Sequence, residues 1–182
     1  MKRETAALHR RLESGLGLLE SELSLERYRR VLELFLGFYA PLEAGLARVA
    51  SGAPLGLPLR ARAALLENDL SSLGLSQREI VELPRCADLP RPSSVEELAG
   101  CLYVVEGACL GGQALAPALR ERLGVARDTG AAFFIGDGEG TRARWNAFLA
   151  WLEDLVRAGS PPAQIVASAR ETFLAFARWV ER

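Results

Sequence analysis

Histidine, lysine and cysteine are scarce in this sequence: one histidine, a single lysine at Lys2, and three cysteines in 182 residues. One histidine cannot serve a Ser-His-Asp constellation without a nucleophile elbow, and no Gly-x-Ser-x-Gly stretch is present. Cys86, Cys101 and Cys109 are odd in number and lack metal-ligand spacing, so reduced thiols are expected and a zinc site is not. No run approaches the 18 or more apolar residues of a membrane span, and the stretch from Met1 to Arg11 lacks the apolar core of a leader peptide. No alternating run of period two is long enough to be a strand. The net charge of −1 gives nucleic acid or an anionic membrane no electrostatic handle. These absences together predict a cytoplasmic protein that works on neither.

What is present is an ordinary globular composition, 49% hydrophobic and 25% charged, in a length suited to one domain over residues 1–182. Leu8, Leu12, Leu16, Leu19 and Leu23 form one stripe and predict a helix over 3–23, weakened by Gly15 and Gly17. Ser24 is a candidate N-cap for a second helix to about Val49, with Pro41 inside it. Residues 51–58 are a glycine- and proline-rich loop. A third helix spans about 59–73 and ends at Gly74, Ser76 opens a short piece, and Pro84 to Pro92 is a connector. Ser93-Ser-Val-Glu-Glu opens a long helix over about 94–122. The stretch from Phe133 to Thr141 reads as an extended piece or a loop. Two helices follow, from about Thr141 to Ala158 and from Pro162 to about Arg182. The reading is all-α: six or seven helices in one compact bundle.

The long helix has glycines at 107, 111 and 112. Each costs roughly 1 kcal/mol against alanine in a helix interior, so so many in one place need a cause. Gly107 and Gly111 lie four apart on one face, beside Ala108 and Gly112. Backbone there can come close either to another helix or to a flat ligand. His9 lies one turn before Glu13 and two turns after Lys2, all on one face of the first helix. Taken alone it is a surface residue; a haem iron, however, needs only one protein ligand when its other axial position is left for oxygen. The spacing of Gly136, Gly138 and Gly140 does not fit a dinucleotide fingerprint. Glu96 with Glu97, and Glu153 with Asp154, read as solvated helix faces.

Four segments, in order, resemble the haem oxygenase family, in particular its bacterial, biliverdin-producing branch associated with phytochromes. Lys2 to Glu13 is similar to the family's proximal helix, Leu66 to Gly74 to a stretch with Asp-Leu and Leu-Gly, and Gly100 to Gln113 to the distal helix. The fourth, from Phe133 through Trp145 to Phe148, is looser. The resemblance implies a haem held between a proximal N-terminal helix and a glycine-rich distal one. It makes His9 the iron ligand, Glu13 the carboxylate beside its imidazole, and Lys2 and Tyr103 propionate contacts. Gly107 and Gly111 are then the glycines over which haem lies, with Phe173 and Phe176 walling the pocket. Arg142, Arg144 and Arg178 are candidates for the other propionate. Ala108 departs from the family, many members of which carry an acidic or hydroxyl residue there to order distal water.

By the same resemblance haem is both substrate and cofactor, and oxygen and electrons convert it to biliverdin, carbon monoxide and ferrous iron. The chain has no flavin or iron–sulfur motif, so a separate reductase or ferredoxin must supply the electrons, and a bacterial phytochrome is a possible recipient of the product. Two rivals are a non-catalytic haem-binding or trafficking protein on the same fold, and a helical interaction module whose glycine face packs on a partner helix.

Overall fold

The computed structural model describes residues 1–20, 22–50 and 59–182; the loop expected over 51–58 lies outside these. The described residues form eight helices, one more than expected, and no strand: α1 (Lys2–Leu16), α2 (Leu25–Ala50), α3 (Arg62–Ser72), α4 (Gln77–Glu82), α5 (Val95–Leu123), α6 (Ala132–Ile135), α7 (Gly140–Arg157) and α8 (Pro162–Val180), with a 3-10 turn at Arg127–Thr129.

Several boundaries follow from local chemistry. Ser76 and Glu79 close a reciprocal capping box on α4, Ser94 caps α5 by accepting from the Glu97 N–H, and Pro162 sits in the first turn of α8, where its missing N–H costs nothing. Two departures from expectation have physical causes. α1 stops at Leu16, not near 23, because Gly17 takes a left-handed conformation (φ 61°) and its N–H bonds back to the Glu13 carbonyl. Leu18 and Leu23 are still buried, but from irregular chain, and Leu19 is 67% exposed. The piece expected to be extended or looped contains α6, a single helical turn with too few residues to show a period. Its amides are held from afar: Asp69 of α3 accepts from the N–H groups of Ala132 and Phe133 at 2.7 and 2.8 Å. In the same way Glu43 of α2 accepts from Arg62 and Ala63, the first amides of α3.

The core is aromatic at its centre. Phe35, Phe38 and Tyr39 of α2 meet Phe133 of α6 and Phe176 of α8, the rings of Phe38 and Phe176 stacking at 4.2 Å. Cys101 and Cys109 are buried thiols in α5. By length and composition α5 could cross a membrane, with a mean hydropathy of 1.3 over its most apolar window. Here it is packed among α2, α6, α7 and α8 and carries the buried Glu106, so it is the central helix of the bundle.

The glycines of α5 let neighbouring backbones close on it. A Cβ at Gly100 would lie 2.5 Å from the Ile165 carbonyl oxygen of α8, and one at Gly112 would lie 2.6 Å from the Phe134 carbonyl oxygen of α6. Along the α8 contact, the Glu97 carbonyl accepts from Ser168 and Cys101 from Thr172; residue numbers rise together, so α5 and α8 run parallel. Gly100→Ala is expected to force α8 off α5 and to cost about 2–3 kcal/mol, as overpacking does, read as a lower urea midpoint at unchanged slope. A midpoint equal to or above that of the unmodified protein would contradict this packing.

Candidate functional site

α1 also runs parallel to α8. Arg170 in the middle of α8 donates to the Glu4 carbonyl, and Arg11 makes a two-point contact with Glu181 just past its end, at 2.7 and 2.6 Å. Three helices thus run in one direction, with α8 presenting Thr172 to α5 and the next residue, Phe173, to α1. The Phe173 ring meets that of His9 edge to face, centroids 5.9 Å apart.

α1 and α5 approach each other at Thr5 and Tyr103; burial raises the Tyr103 pKa and the nearby Thr5 hydroxyl partly offsets it. Four residues farther along each parallel helix, roughly 6 Å at 1.5 Å per residue, stand His9 and Gly107. Beyond that junction both helices are accessible. The His9 side chain is 46% exposed, and a Cβ placed on Gly111 would meet nothing within 4 Å. Gly111 therefore has no packing partner among the described residues, unlike Gly100 and Gly112. The helix-packing reading of the glycine helix is met at Gly112, and Gly111 is left open.

His9 Nδ1 lies 3.2 Å from a Glu13 carboxylate oxygen. In the neutral ring a carboxylate acceptor there places the proton on Nδ1, which leaves Nε2 with its lone pair free to bind a metal. Lys2 is exposed at the start of the same helix and Ala108 is partly exposed beside Gly107. Phe176, expected as a second aromatic wall, instead lies in the core, 1% exposed and stacked on Phe38. Of the three arginines considered, Arg144 is committed to Glu106 and Arg178 to Asp88. Arg142 is exposed on α7.

A buried ionic cluster on the flank of α5 has no counterpart among the sequence motifs. Glu106 receives two bonds from Arg144, at 3.0 and 2.9 Å, and a longer one from Arg62 at 3.4 Å. Burial alone would raise its pKa, but the two arginines outweigh that and hold it below the usual carboxylate value. Arg62 is 1% exposed. Its Nε and Nη1, like the Tyr39 hydroxyl, have no hydrogen-bond partner among the described residues, and ordered water is the usual answer for such groups. The excess of arginine in the sequence hid Arg62, and Arg144 was considered only as a propionate contact. Trp145, next to Arg144, was also unassigned. Its indole lies 3.6 Å from a Cβ on Gly107 and 5.4 Å from the Tyr103 ring, so Trp145 and Phe173 flank the accessible face from α7 and α8.

A separate open cleft of about 1010 Å³ is lined by Gln113, Pro117, Arg120, Arg127 and Ile135. Gln113 follows Gly111 by two residues, roughly 200° around the helix, so this cleft lies across α5 from His9.

A family model described as "Heme oxygenase" matches residues 1–182. The chain is also 30% identical over 164 residues to a "Heme oxygenase" of Xanthomonas campestris pv. campestris (strain 8004), covering 89% of this chain and 91% of that one.

Two outcomes follow from the site geometry. Gly111→Ala should leave the ligand-free protein as stable as before, or more stable by up to about 1 kcal/mol through helix propensity, while weakening any ligand seated on that face. Paired urea melts and ligand titrations check this, and a destabilised ligand-free variant would contradict an open Gly111. The second concerns Glu43, whose carboxyl burial pushes up to about 7 against the pull of two backbone N–H bonds. A raised folded value means the folded chain holds the proton more tightly. The resulting stability is complete below the ordinary value of 4.5 and is lost as pH rises through about 7. From pH about 4 to about 8 the native protein should therefore lose on the order of 2–3 kcal/mol relative to Glu43→Gln. Parallel pH trends in the two proteins would contradict it.

Proposed function

Because the chain belongs to the haem oxygenase family, we propose that residues 1–182 act as one cytoplasmic domain that seats haem between α1 and the bare face of α5 and cleaves it to biliverdin, carbon monoxide and ferrous iron. The observation that carries this reading is His9, its Nδ1 turned to Glu13, on a helix parallel to α5, which is open at Gly111. These residues fit a porphyrin: one imidazole nitrogen is available as an iron ligand, and the opposite helix has a stretch without side chains to meet a flat face. When bound, haem supplies both the oxygen-activating iron and the carbon that is oxidised.

The protein's part is to bind and orient. His9 Nε2 ligates the iron, and Glu13 fixes the imidazole's tautomer and raises its basicity. Phe173 closes the α8 side, while Phe176 supports that wall from the core. Lys2, Tyr103 and Arg142 meet the propionates as cations or a hydroxyl donor. Gly111 keeps its part of the distal side free of carbon, leaving room for oxygen and water against backbone carbonyls, and Gly107 lets the Trp145 indole and the ligand approach the same backbone. Ala108 offers no proton donor, so protons on that side must come through water. Electrons come from a separate reductase or ferredoxin, and a bacterial phytochrome is a fitting acceptor of the product.

Ala108 is also the observation that favours the second reading, a haem carrier on the same fold. Titration with hemin followed by ascorbate under air separates the two. One-to-one binding, then loss of the Soret band as a biliverdin band grows, with both altered in His9→Ala, is the expected result. Stable binding without turnover would support the carrier, and absence of saturable binding would return the glycine face to helix packing.

A further inference from the structure

α7 is tied to α5 at two consecutive residues. Arg144 grips Glu106 with two hydrogen bonds, and Trp145 rests on Gly107, its indole at van der Waals distance from where a Cβ would be. The first tie is buried, with the Arg144 side chain 15% and the Glu106 side chain 8% exposed, and charge-assisted pairing in two-point geometry fixes direction as well as distance. The second is further braced, because the indole also packs on Tyr103 at 5.4 Å and on Phe148 at 5.5 Å. The bare face of α5 is therefore not uniform: a rigid aromatic plate covers it at Gly107, and it is open at Gly111. A flat ligand entering between α1 and α5 meets the edge of that plate before it can cover Gly107 completely.

Resting on the haem reading, we propose that Trp145 is a specificity-determining stop that sets how far the macrocycle slides across α5, and that Glu106, through Arg144, is the positioning residue that holds it there. His9 fixes the iron at one point, which leaves the macrocycle free to rotate and tilt about the iron–nitrogen axis. A wall on one edge removes that freedom. The edge of the porphyrin that faces the open backbone at Gly111 is then chosen by Trp145 together with the propionate contacts, and this choice decides which bridging carbon is oxidised. Nothing polar is required of the indole, only its position and size.

The test compares the unmodified protein with Trp145→Ala, Trp145→Phe and Glu106→Gln, each loaded with hemin, by proton NMR of the paramagnetically shifted haem methyl resonances and by chromatography of the biliverdin isomers formed. One set of methyl resonances and one isomer are expected for the unmodified protein. Trp145→Ala should bind hemin with affinity reduced less than about tenfold, yet show a second set of methyl resonances and a mixture of isomers. Trp145→Phe should restore the single set, and Glu106→Gln should reproduce the doubling although it touches no ligand. If Trp145→Ala proves too unstable to load, Trp145→Leu carries the same comparison. A single, unshifted set and an unchanged isomer in the truncated variants would overturn the stop while leaving haem binding intact. Absence of His9-dependent hemin binding in the unmodified protein would overturn both.

Discussion

The structure depends on how closely α5 is held by its neighbours. At Gly100 and Gly112 the backbones of α8 and α6 come nearer than any side chain would allow, and these two contacts clamp the helix near its start and past its middle. Between them, Gly107 and Gly111 gain nothing from packing of that kind and still carry the conformational cost of glycine. A helix clamped at both ends can keep such a weak central stretch straight. The clamped glycines thus make it possible for the central ones to stay bare.

The same helix carries a buried carboxylate in an otherwise apolar environment. Glu106 is tolerable there because Arg144 and Arg62 meet it from α7 and α3; removing one partner of such a pair leaves a buried charge and is far costlier than the pair is stabilising. The cluster is better understood as a device for register than as a source of stability. It fixes α7 on one flank of α5, and with it the Trp145 indole. On the other flank, the parallel run of α1, α8 and α5 brings His9 and Phe173 to the same level. On the proposed reading a ligand is oriented by helices locked in relative register, with the only histidine on one side and the open Gly111 on the other.

Much of this was legible in the sequence, for reasons that can be named. The caps at Ser76 and Ser94, the turn at Gly74 and the proline pair at the start of α8 are local signals, and the helices they bound came out within a few residues. The glycine spacing marked α5 as special, and His9 with Glu13 needs only helix geometry to be seen. What was missed is long-range. α6 is one turn held by Asp69, which lies 63 residues away, and α3 starts where Glu43 reaches it from α2. Arg62 was one arginine among many until burial singled it out, and Arg144, considered for a propionate, pairs with Glu106. Phe176 has the same spacing as Phe173 on the sequence, but its ring is claimed by Phe38. No local pattern could have announced that Gly100 would be packed on α8 while Gly111 stayed open, since the difference lies in what stands opposite.

The most direct test of the central claim, that His9 holds iron across from the bare face of α5, is resonance Raman spectroscopy of the ferrous haem complex. An iron–imidazole stretching band should appear in the unmodified protein, shift in Glu13→Gln as the ring loses its carboxylate acceptor, and vanish in His9→Ala. A band that persists unchanged in His9→Ala would mean that another group holds the iron, and would contradict the account at its root.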